Sequence, residues 1–258
     1  MHRGLGKTEH SRQIMLKKYG QPLVYKVINP FIEALVRAKV KPNTITTIGL
    51  VINFAAMGIF VYGAENGSRT DHSYIGYAGA VILLAGLFDM IDGRLARVGN
   101  MSTDFGALYD SVLDRYSEMI MFLGICFYLV SHDYFLSSLA AFVAMIGSVM
   151  VSYTRARAEG LGVDASVGIM QRPERVVIIG VSAVLCGIFS NTVGGDFKIT
   201  VDWLPISLFE TITIFTLPLF VLAILANQTA IKRLRHSKKL LEEKERQEVK
   251  SQKEEIVQ

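Results

Sequence analysis

Cysteine, tryptophan and proline are scarce in this 258-residue chain, which has two cysteines, one tryptophan and six prolines. Cys126 and Cys186 both lie inside apolar runs, without the spacing of a disulfide framework or of a zinc site, so a small cross-linked domain is excluded. The first 18 residues contain no apolar core, which predicts the absence of a cleavable signal peptide. No basic patch is interleaved with aromatic residues, so the net charge of +4 does not indicate a nucleic-acid partner.

Long apolar runs, by contrast, are abundant. Hydrophobic residues make up 51% of the chain, and the charged residues concentrate at both ends and in two internal loops. A helix needs about 20 apolar residues to cross a bilayer. Segments of about that length lie at residues 44–63, 75–98, 105–130, 134–158, 174–190 and 207–230, and the fifth is short. The stretch 190–206 between the last two is expected to be a loop, with Trp203 as an interface anchor.

The stretch before these runs, residues 19–40, is amphipathic. Its apolar residues recur at helical spacing, with charged residues such as Glu33 and Arg37 between them. This pattern is typical of a helix in the headgroup region, although it also fits an ordinary surface helix. Pro30 is expected to kink or interrupt it. The sequence therefore predicts an all-α integral membrane protein with six transmembrane helices and an N-terminal amphipathic juxtamembrane helix.

The distribution of basic residues predicts the orientation. Both termini are basic, and the second and fourth connections between spans are rich in arginine, namely Arg94, Arg97, Arg155, Arg157, Arg172 and Arg175. The positive-inside rule then places both termini and these two connections in the cytosol, in a multi-pass protein of the inner (cytoplasmic) membrane. We divide the chain into a cytosolic arm and juxtamembrane helix (1–43), a six-helix domain (44–230) and a charged cytosolic tail (231–258). The tail fits a solvated helix or a disordered segment equally well.

Two pairs of aspartates mark the centre of the chain. Asp89 and Asp92 are three residues apart, and Asp110 and Asp114 are four apart, so each pair lies on one face of a helix. Carboxylates beside membrane-length apolar runs are costly unless they face a water-filled or ligand-filled interior. Oxygen ligands alone favour Mg²⁺ or Mn²⁺ over Zn²⁺. Structural salt bridges between helices are the alternative interpretation.

Written as spacing, the stretch is Asp89-x₂-Asp92-Gly93-x₂-Ala96-Arg97-x₈-Gly106-x₃-Asp110-x₃-Asp114. At every position it resembles the signature of the CDP-alcohol phosphotransferase family. The resemblance implies a site for two Mg²⁺ or Mn²⁺ ions, with Asp89, Asp92 and Asp110 as shared ligands. It also implies that Asp114 lies near the second ion and acts as general base.

The same resemblance implies a binding site for the CDP-lipid. Small residues are needed where helices and nucleotide approach closely, a guanidinium suits a phosphate, and a loop hydroxyl suits the nucleotide. The segment before the first span is similar to one that closes over the cytidine, although a plain helix cap would look alike. The implied set is Pro42, Asn43, Thr46, Gly93, Ala96, Arg97, Thr103 and Gly106.

Later segments are similar to the bacterial phosphatidylinositol phosphate synthase branch of the family. They are Ser152-Tyr153-Thr154-Arg155-Ala156-Arg157 and Arg172-Pro173-Glu174-Arg175. The similarity implies that the phosphate of the acceptor is bound by Ser152, Arg155, Arg157, Arg175 and, on a looser match, Arg233. The branch has lysine more often at the position of Arg155, so the identity of the acceptor is less secure than its charge. Arginines that only set the topology are the alternative.

The resulting prediction is a metal-dependent enzyme that transfers the phosphatidyl group from CDP-diacylglycerol to inositol 1-phosphate, releasing CMP. Glycerol 3-phosphate, giving phosphatidylglycerol phosphate, or another alcohol is the alternative acceptor, and a ceramide-based donor also stays open. The resemblance further implies a homodimer in contact with membrane lipid. From a different class, a divalent-cation transporter would also use aspartates, but its site is expected near the bilayer midplane rather than around a cytosolic loop.

Overall fold

The computed structural model describes residues 21–168, 171–200 and 207–257, and within them it is helical apart from one pair of short strands. The elements are α1 (Gln21–Arg37), α2 (Pro42–Asn66), α3 (Ser73–Val98), α4 (Asp104–Ser131), α5 (Phe135–Gly160), α6 (Arg172–Thr192), β1 (Lys198–Thr200), β2 (Ser207–Glu210) and α7 (Thr213–Val257). The arm before residue 21 and Trp203 lie outside the described residues.

Most of these helices are long enough to cross a membrane. In the described part of the chain, five of them, α2, α3, α5, α6 and α7, have the length and apolar composition of a membrane span. The prediction of an all-helical, multi-pass membrane protein is therefore confirmed. Helix α4 is 28 residues long but is not among the five. It carries several charged residues, among them Asp110, Asp114 and Glu118, so the sixth span stays a prediction.

Aromatic and small side chains hold the helices together. The main core contains Phe60 of α2, Tyr128 of α4 and Phe215 of α7, all fully buried. Helices α3 and α6 approach most closely at Gly76 and Gly187, where a Cβ on Gly187 would lie 2.5 Å from the Cα of Gly76. Only glycine allows two backbones to come this close, and such close packing is how helices associate in lipid.

Helix α1 lies where the amphipathic pattern predicted a helix. Pro30 lies inside it and does not end it. Its buried face, centred on Ile32, packs against Ile45 of α2 and against Ile91 and Leu95 of α3. The helix therefore lies beside the last turns of α3, which carry the first aspartate pair. Its position at the membrane surface stays a prediction.

The sixth predicted segment begins too early. Residues 207–210 are not helical but form β2, which pairs antiparallel with β1, and α7 begins only at Thr213. The ring of Phe209 packs against Phe189 and Phe197, and the Lys198 ammonium lies 3.3 Å from the Glu210 carboxylate. These contacts favour an extended chain over another helical turn. At its other end α7 continues through residue 231 to Val257, so the described part of the charged tail is helical.

Candidate active site

The four aspartates face two neighbouring cavities. Asp89 and Asp92 lie on the last three turns of α3, and Asp110 and Asp114 on the first three turns of α4, after a short connection. Asp89, Asp110 and Asp114 line a cavity of about 300 Å³. Asp92 lines a second cavity of about 170 Å³, and Asp110 contributes to both walls. The helical spacing has therefore brought the two pairs to one polar interior.

The smaller cavity collects the residues expected to bind nucleotide. Its wall includes all of that set except the exposed Arg97, namely Pro42, Asn43, Thr46, Gly93, Ala96, Thr103 and Gly106. The hydroxyl of Thr103 also caps α4, since it accepts a hydrogen bond from the amide of Gly106 at 2.9 Å. A Cβ on Gly106 would lie 3.0 Å from that hydroxyl and 3.4 Å from the Asn43 amide oxygen, so glycine keeps this wall open.

A cation not expected here lies among the aspartates. The Nη1 atom of Arg172, the first residue of α6, donates to the Asp89 carboxylate and lies 2.7 Å from Oδ1 of Asp114. Its Nε is buried and has no hydrogen-bond partner among the described residues. Arg172 belongs to the segment that resembles the phosphatidylinositol phosphate synthase branch, but it was not among the predicted site residues. Arg172 lies one helical turn before Arg175, and this spacing could have indicated that both side chains face the same interior.

The donor set fits a hard divalent ion, although the carboxylates do not yet converge on one point. Asp92 has a buried carboxylate oxygen, Oδ2, without a hydrogen-bond partner in the described part of the chain. Such an orphaned oxygen is expected at a cation site. Among residues 21–168, 171–200 and 207–257, however, no three acidic, histidine or cysteine side chains are close enough to hold an ion together. The guanidinium of Arg172 holds two of the four carboxylates instead.

Arg175, expected to contact the acceptor, lies in a buried ion pair. Its Nε lies 2.7 Å from Oε1 of Glu118 and its Nη2 lies 3.0 Å from Oε2, and both side chains are only 1% exposed. The pair joins α4 to α6 beside the aspartates. A two-pronged contact of this kind fixes the orientation of the guanidinium. Whether Arg175 also binds the acceptor stays a prediction.

The remaining residues of the expected acceptor site lie near the C-terminal end of α5 and in the middle of α7. Arg155 pairs with Glu159 at 2.7 Å, and Arg157 is exposed. The Nε of Arg233 donates to the carbonyl of Val167, and its Nη1 donates to the carbonyl of Val151, next to Ser152, at 2.8 and 2.7 Å. Arg233 is close enough to Arg155 and Arg175 to interact with their charges. The structure therefore brings three of the predicted arginines into one neighbourhood.

The model of the CDP-alcohol phosphatidyltransferase family matches residues 39–222, which include every element of both cavities. The chain belongs to this family, and it is an enzyme that transfers a phosphatidyl group. Membership of an enzyme family removes the transporter alternative.

Named relatives narrow the comparison. The chain is 35% identical to the phosphatidylinositol phosphate synthase of Mycobacteroides abscessus over 64% of its own length and 71% of that protein. It is also 35% identical to the archaetidylinositol phosphate synthase of Methanothermobacter thermautotrophicus, over 64% of this chain and 75% of that protein.

The crystal structure of Mycobacterium tuberculosis phosphatidylinositol phosphate synthase with CDP-DAG bound has the same fold, with a TM-score of 0.65 and 24% identity over 82% of this chain and 94% of that one. The same protein in complex with manganese and citrate gives a TM-score of 0.63 and 25% identity over 81% of this chain and 87% of that one. The expected family is thereby confirmed.

Proposed function

We propose that this enzyme transfers the phosphatidyl group of CDP-diacylglycerol to inositol 1-phosphate, giving phosphatidylinositol phosphate and CMP. The observation that carries the proposal is the pair of cavities that share Asp110. One has the wall expected for a nucleotide, and the other holds carboxylates with an arginine. The donor nucleotide therefore has a chemically suitable site beside the aspartates, and the acceptor hydroxyl would reach Asp114 from the larger cavity. Relatives named for inositol phosphate chemistry support the choice of acceptor.

In the proposed reaction the acceptor hydroxyl attacks the phosphorus of the phosphatidyl group. The bond from that phosphorus to the oxygen of CMP breaks, and CMP leaves with the electron pair. Asp114 takes the proton of the attacking hydroxyl as general base. It is suited to this because it lies in the wall of the larger cavity, away from the nucleotide wall. The cytidine is proposed to lie in the smaller cavity, beside Gly106.

The metal ligands we propose are Asp89, Asp92, Asp110 and Asp114, holding two Mg²⁺ or Mn²⁺ ions. Bound divalent ions would supply positive charge that offsets the charge of the pyrophosphate and of the transition state. The orphaned oxygen of Asp92 supports this assignment from within the chain. The manganese complex of the mycobacterial enzyme is consistent with it.

The acceptor phosphate is proposed to lie among the arginines at the cytosolic ends of α5, α6 and α7, with the hydroxyl of Ser152 beside them. A dianion suits this neighbourhood because two buried guanidinium groups, of Arg175 and Arg233, and two exposed ones share it with the carboxylates of Glu118 and Glu159. Arg155 would exchange its contact with Glu159 for the phosphate, and Arg157 would add charge at the rim. Arg175 and Arg233, which Glu118 and backbone carbonyls orient, would line the same site.

The proposed setting is the cytoplasmic membrane, with α4 as the sixth span and α1 on the membrane surface. Because Asp110, Asp114 and Glu118 of α4 face the two cavities and a buried ion pair, these three carboxylates need not meet lipid. Both termini and the active site would be cytosolic. We further propose the division into 1–43, 44–230 and 231–258 and a homodimer as the functional unit.

The decisive experiment is an acceptor panel with the purified chain in proteoliposomes. CDP-diacylglycerol is supplied with inositol 1-phosphate, glycerol 3-phosphate or inositol, CMP release is measured, and the lipid product is identified by mass spectrometry. We expect release with inositol 1-phosphate and a loss of about 10²–10⁴-fold in the Asp114→Asn variant, the range for removing a general base. Release with glycerol 3-phosphate but not with inositol 1-phosphate would overturn the assignment. An ether-lipid or ceramide-based donor in the same panel tests the donor.

A further inference from the structure

The guanidinium of Arg172 contacts two of the four carboxylates that the proposed reaction assigns to metal. Arg172 contacts Asp89 of α3 and Asp114 of α4 through the same nitrogen, Nη1, and its side chain is only 16% exposed. Asp92 and Asp110, the other two members of the set, are not among its ion-pair partners in the described structure. The arginine therefore divides the four aspartates into two that contact its guanidinium and two that do not.

A divalent ion and this guanidinium compete for the same two carboxylates, since Nη1 contacts one oxygen of each, Oδ2 of Asp89 and Oδ1 of Asp114. Each ligand oxygen that turns towards an ion must give up its contact with Nη1, since a cation beside another cation at this distance is repelled. Charge-assisted contacts of this kind are among the stronger hydrogen bonds in proteins. The affinity of the site for metal is thus set partly by how firmly Arg172 holds Asp89 and Asp114.

The surroundings of Arg172 allow it to move. It is the first residue of α6 and directly follows the non-helical Gln171, so no helical turn precedes it. Its Nε makes no hydrogen bond among the described residues, and the cavity of about 300 Å³ that it lines with Pro173 and Val177 offers space. A guanidinium released from the aspartates would stay in that cavity, close to where the acceptor is expected.

We propose that Arg172 is an internal counter-cation that metal displaces from Asp89 and Asp114, and that the displaced guanidinium then binds the phosphate of the acceptor. The inference rests on the proposed function, because it takes the aspartates as the metal ligands. Arg172 is in this view a positioning residue that couples two ligands. Such coupling is reciprocal: metal strengthens the binding of an anion, and the anion strengthens the binding of metal by the same factor.

The test measures Mn²⁺ binding directly, by electron paramagnetic resonance of free Mn²⁺ over the full-length protein in detergent. Sulfate serves as the probe for a tetrahedral dianion, with chloride at matched ionic strength as its control. The variants are Arg172→Gln and, as a matched loss of one charge near the same carboxylate, Arg115→Gln. Arg115 lies 4.0 Å from Asp114 and so acts on it without a close contact.

We expect Arg172→Gln to bind Mn²⁺ about tenfold more tightly than the wild type or better, the equivalent of one charge-assisted hydrogen bond. Arg115→Gln should change the affinity by less than about threefold, as expected for a half-exposed charge. In the wild type sulfate should increase Mn²⁺ affinity, and in Arg172→Gln this increase should disappear.

The outcomes separate the two proposals. If neither protein binds Mn²⁺, the metal assignment of the proposed function fails, and this inference fails with it. If the wild type and Arg172→Gln bind Mn²⁺ equally, or both arginine variants gain equally, only the role of Arg172 is refuted. The effect of sulfate on Mn²⁺ affinity can be measured in the wild type alone. If sulfate leaves Mn²⁺ affinity unchanged, the coupling does not exist.

Discussion

Breaking the buried pair of Glu118 and Arg175 should cost this protein a large part of its stability. Both side chains are 1% exposed and joined by two contacts of 2.7 and 3.0 Å, so a Glu118→Gln substitution leaves a guanidinium without its counter-charge and without water. Removing one partner of a buried ion pair costs about 3–5 kcal/mol. At about 2–4 °C per kcal/mol for a domain of this size, the melting temperature should fall by roughly 6–20 °C.

The double variant Glu118→Leu/Arg175→Met tests the origin of this cost. Two apolar side chains of similar volume leave no charge to bury, and such replacements are often neutral or stabilising. We therefore expect the double variant to melt well above Glu118→Gln even though it lacks both charges. Glu33→Gln, which removes a partner of an exposed i,i+4 pair, is the control and should change stability by less than about 0.5 kcal/mol.

The two cysteines provide the assay. Cys186 is buried and Cys126 is half-buried, so a thiol-reactive fluorogenic dye reports unfolding in detergent as either becomes accessible. A shift of less than about 2 °C for Glu118→Gln would show that this pair is not a source of stability. A double variant that melts as low as the single one would show that packing, not an uncompensated charge, determines the cost.

Three further predictions follow from the packing and the site. Chelating divalent ions with EDTA should abolish CMP release, and added Mg²⁺ or Mn²⁺ should restore it; activity that survives EDTA would refute the metal assignment. Gly187→Ala places a Cβ 2.5 Å from the Cα of Gly76 and should lower the melting temperature, whereas Gly58→Ala, with open space around its Cα, should not. Burial lowers the pKa of His72 below its ordinary value, so only the unfolded chain takes up a proton as the pH falls below about 6.5. Stability should therefore fall from that pH downwards, and His72→Gln should reduce this acid sensitivity.

Much of the wall of the smaller cavity could be predicted because several of its residues follow one another at helical spacing. Gly93 and Ala96 lie one turn apart on α3, and Thr103 and Gly106 form the first turn of α4, so a short motif read along the chain already places them together. Arg97 lies four residues after Gly93 and so shares its helix face, but near the end of α3 its side chain is exposed and does not line the cavity.

The contacts of Arg172 and Arg175 could not be read in this way. They join residues 83 and 57 positions apart, and nothing in helical spacing specifies which carboxylate a distant arginine will meet. The strand at 207–210 was missed for a related reason. Its apolar residues continue into those of α7, so composition marks no boundary, and only pairing with β1, across a part of the chain outside the described residues, makes the backbone extended.

Helix α7 is much longer than a single membrane span requires. Its 45 residues measure about 67 Å at 1.5 Å each, over twice the hydrocarbon thickness of about 30 Å. Beyond the apolar part, Leu240 packs on Val163, and the Lys244 ammonium donates to the carbonyl of Leu161. This part of α7 therefore supports the segment that follows α5 and leads towards Arg172. Truncating the chain before Leu240 should remove both contacts and lower catalytic activity. Truncating it after Lys244 should leave both contacts in place.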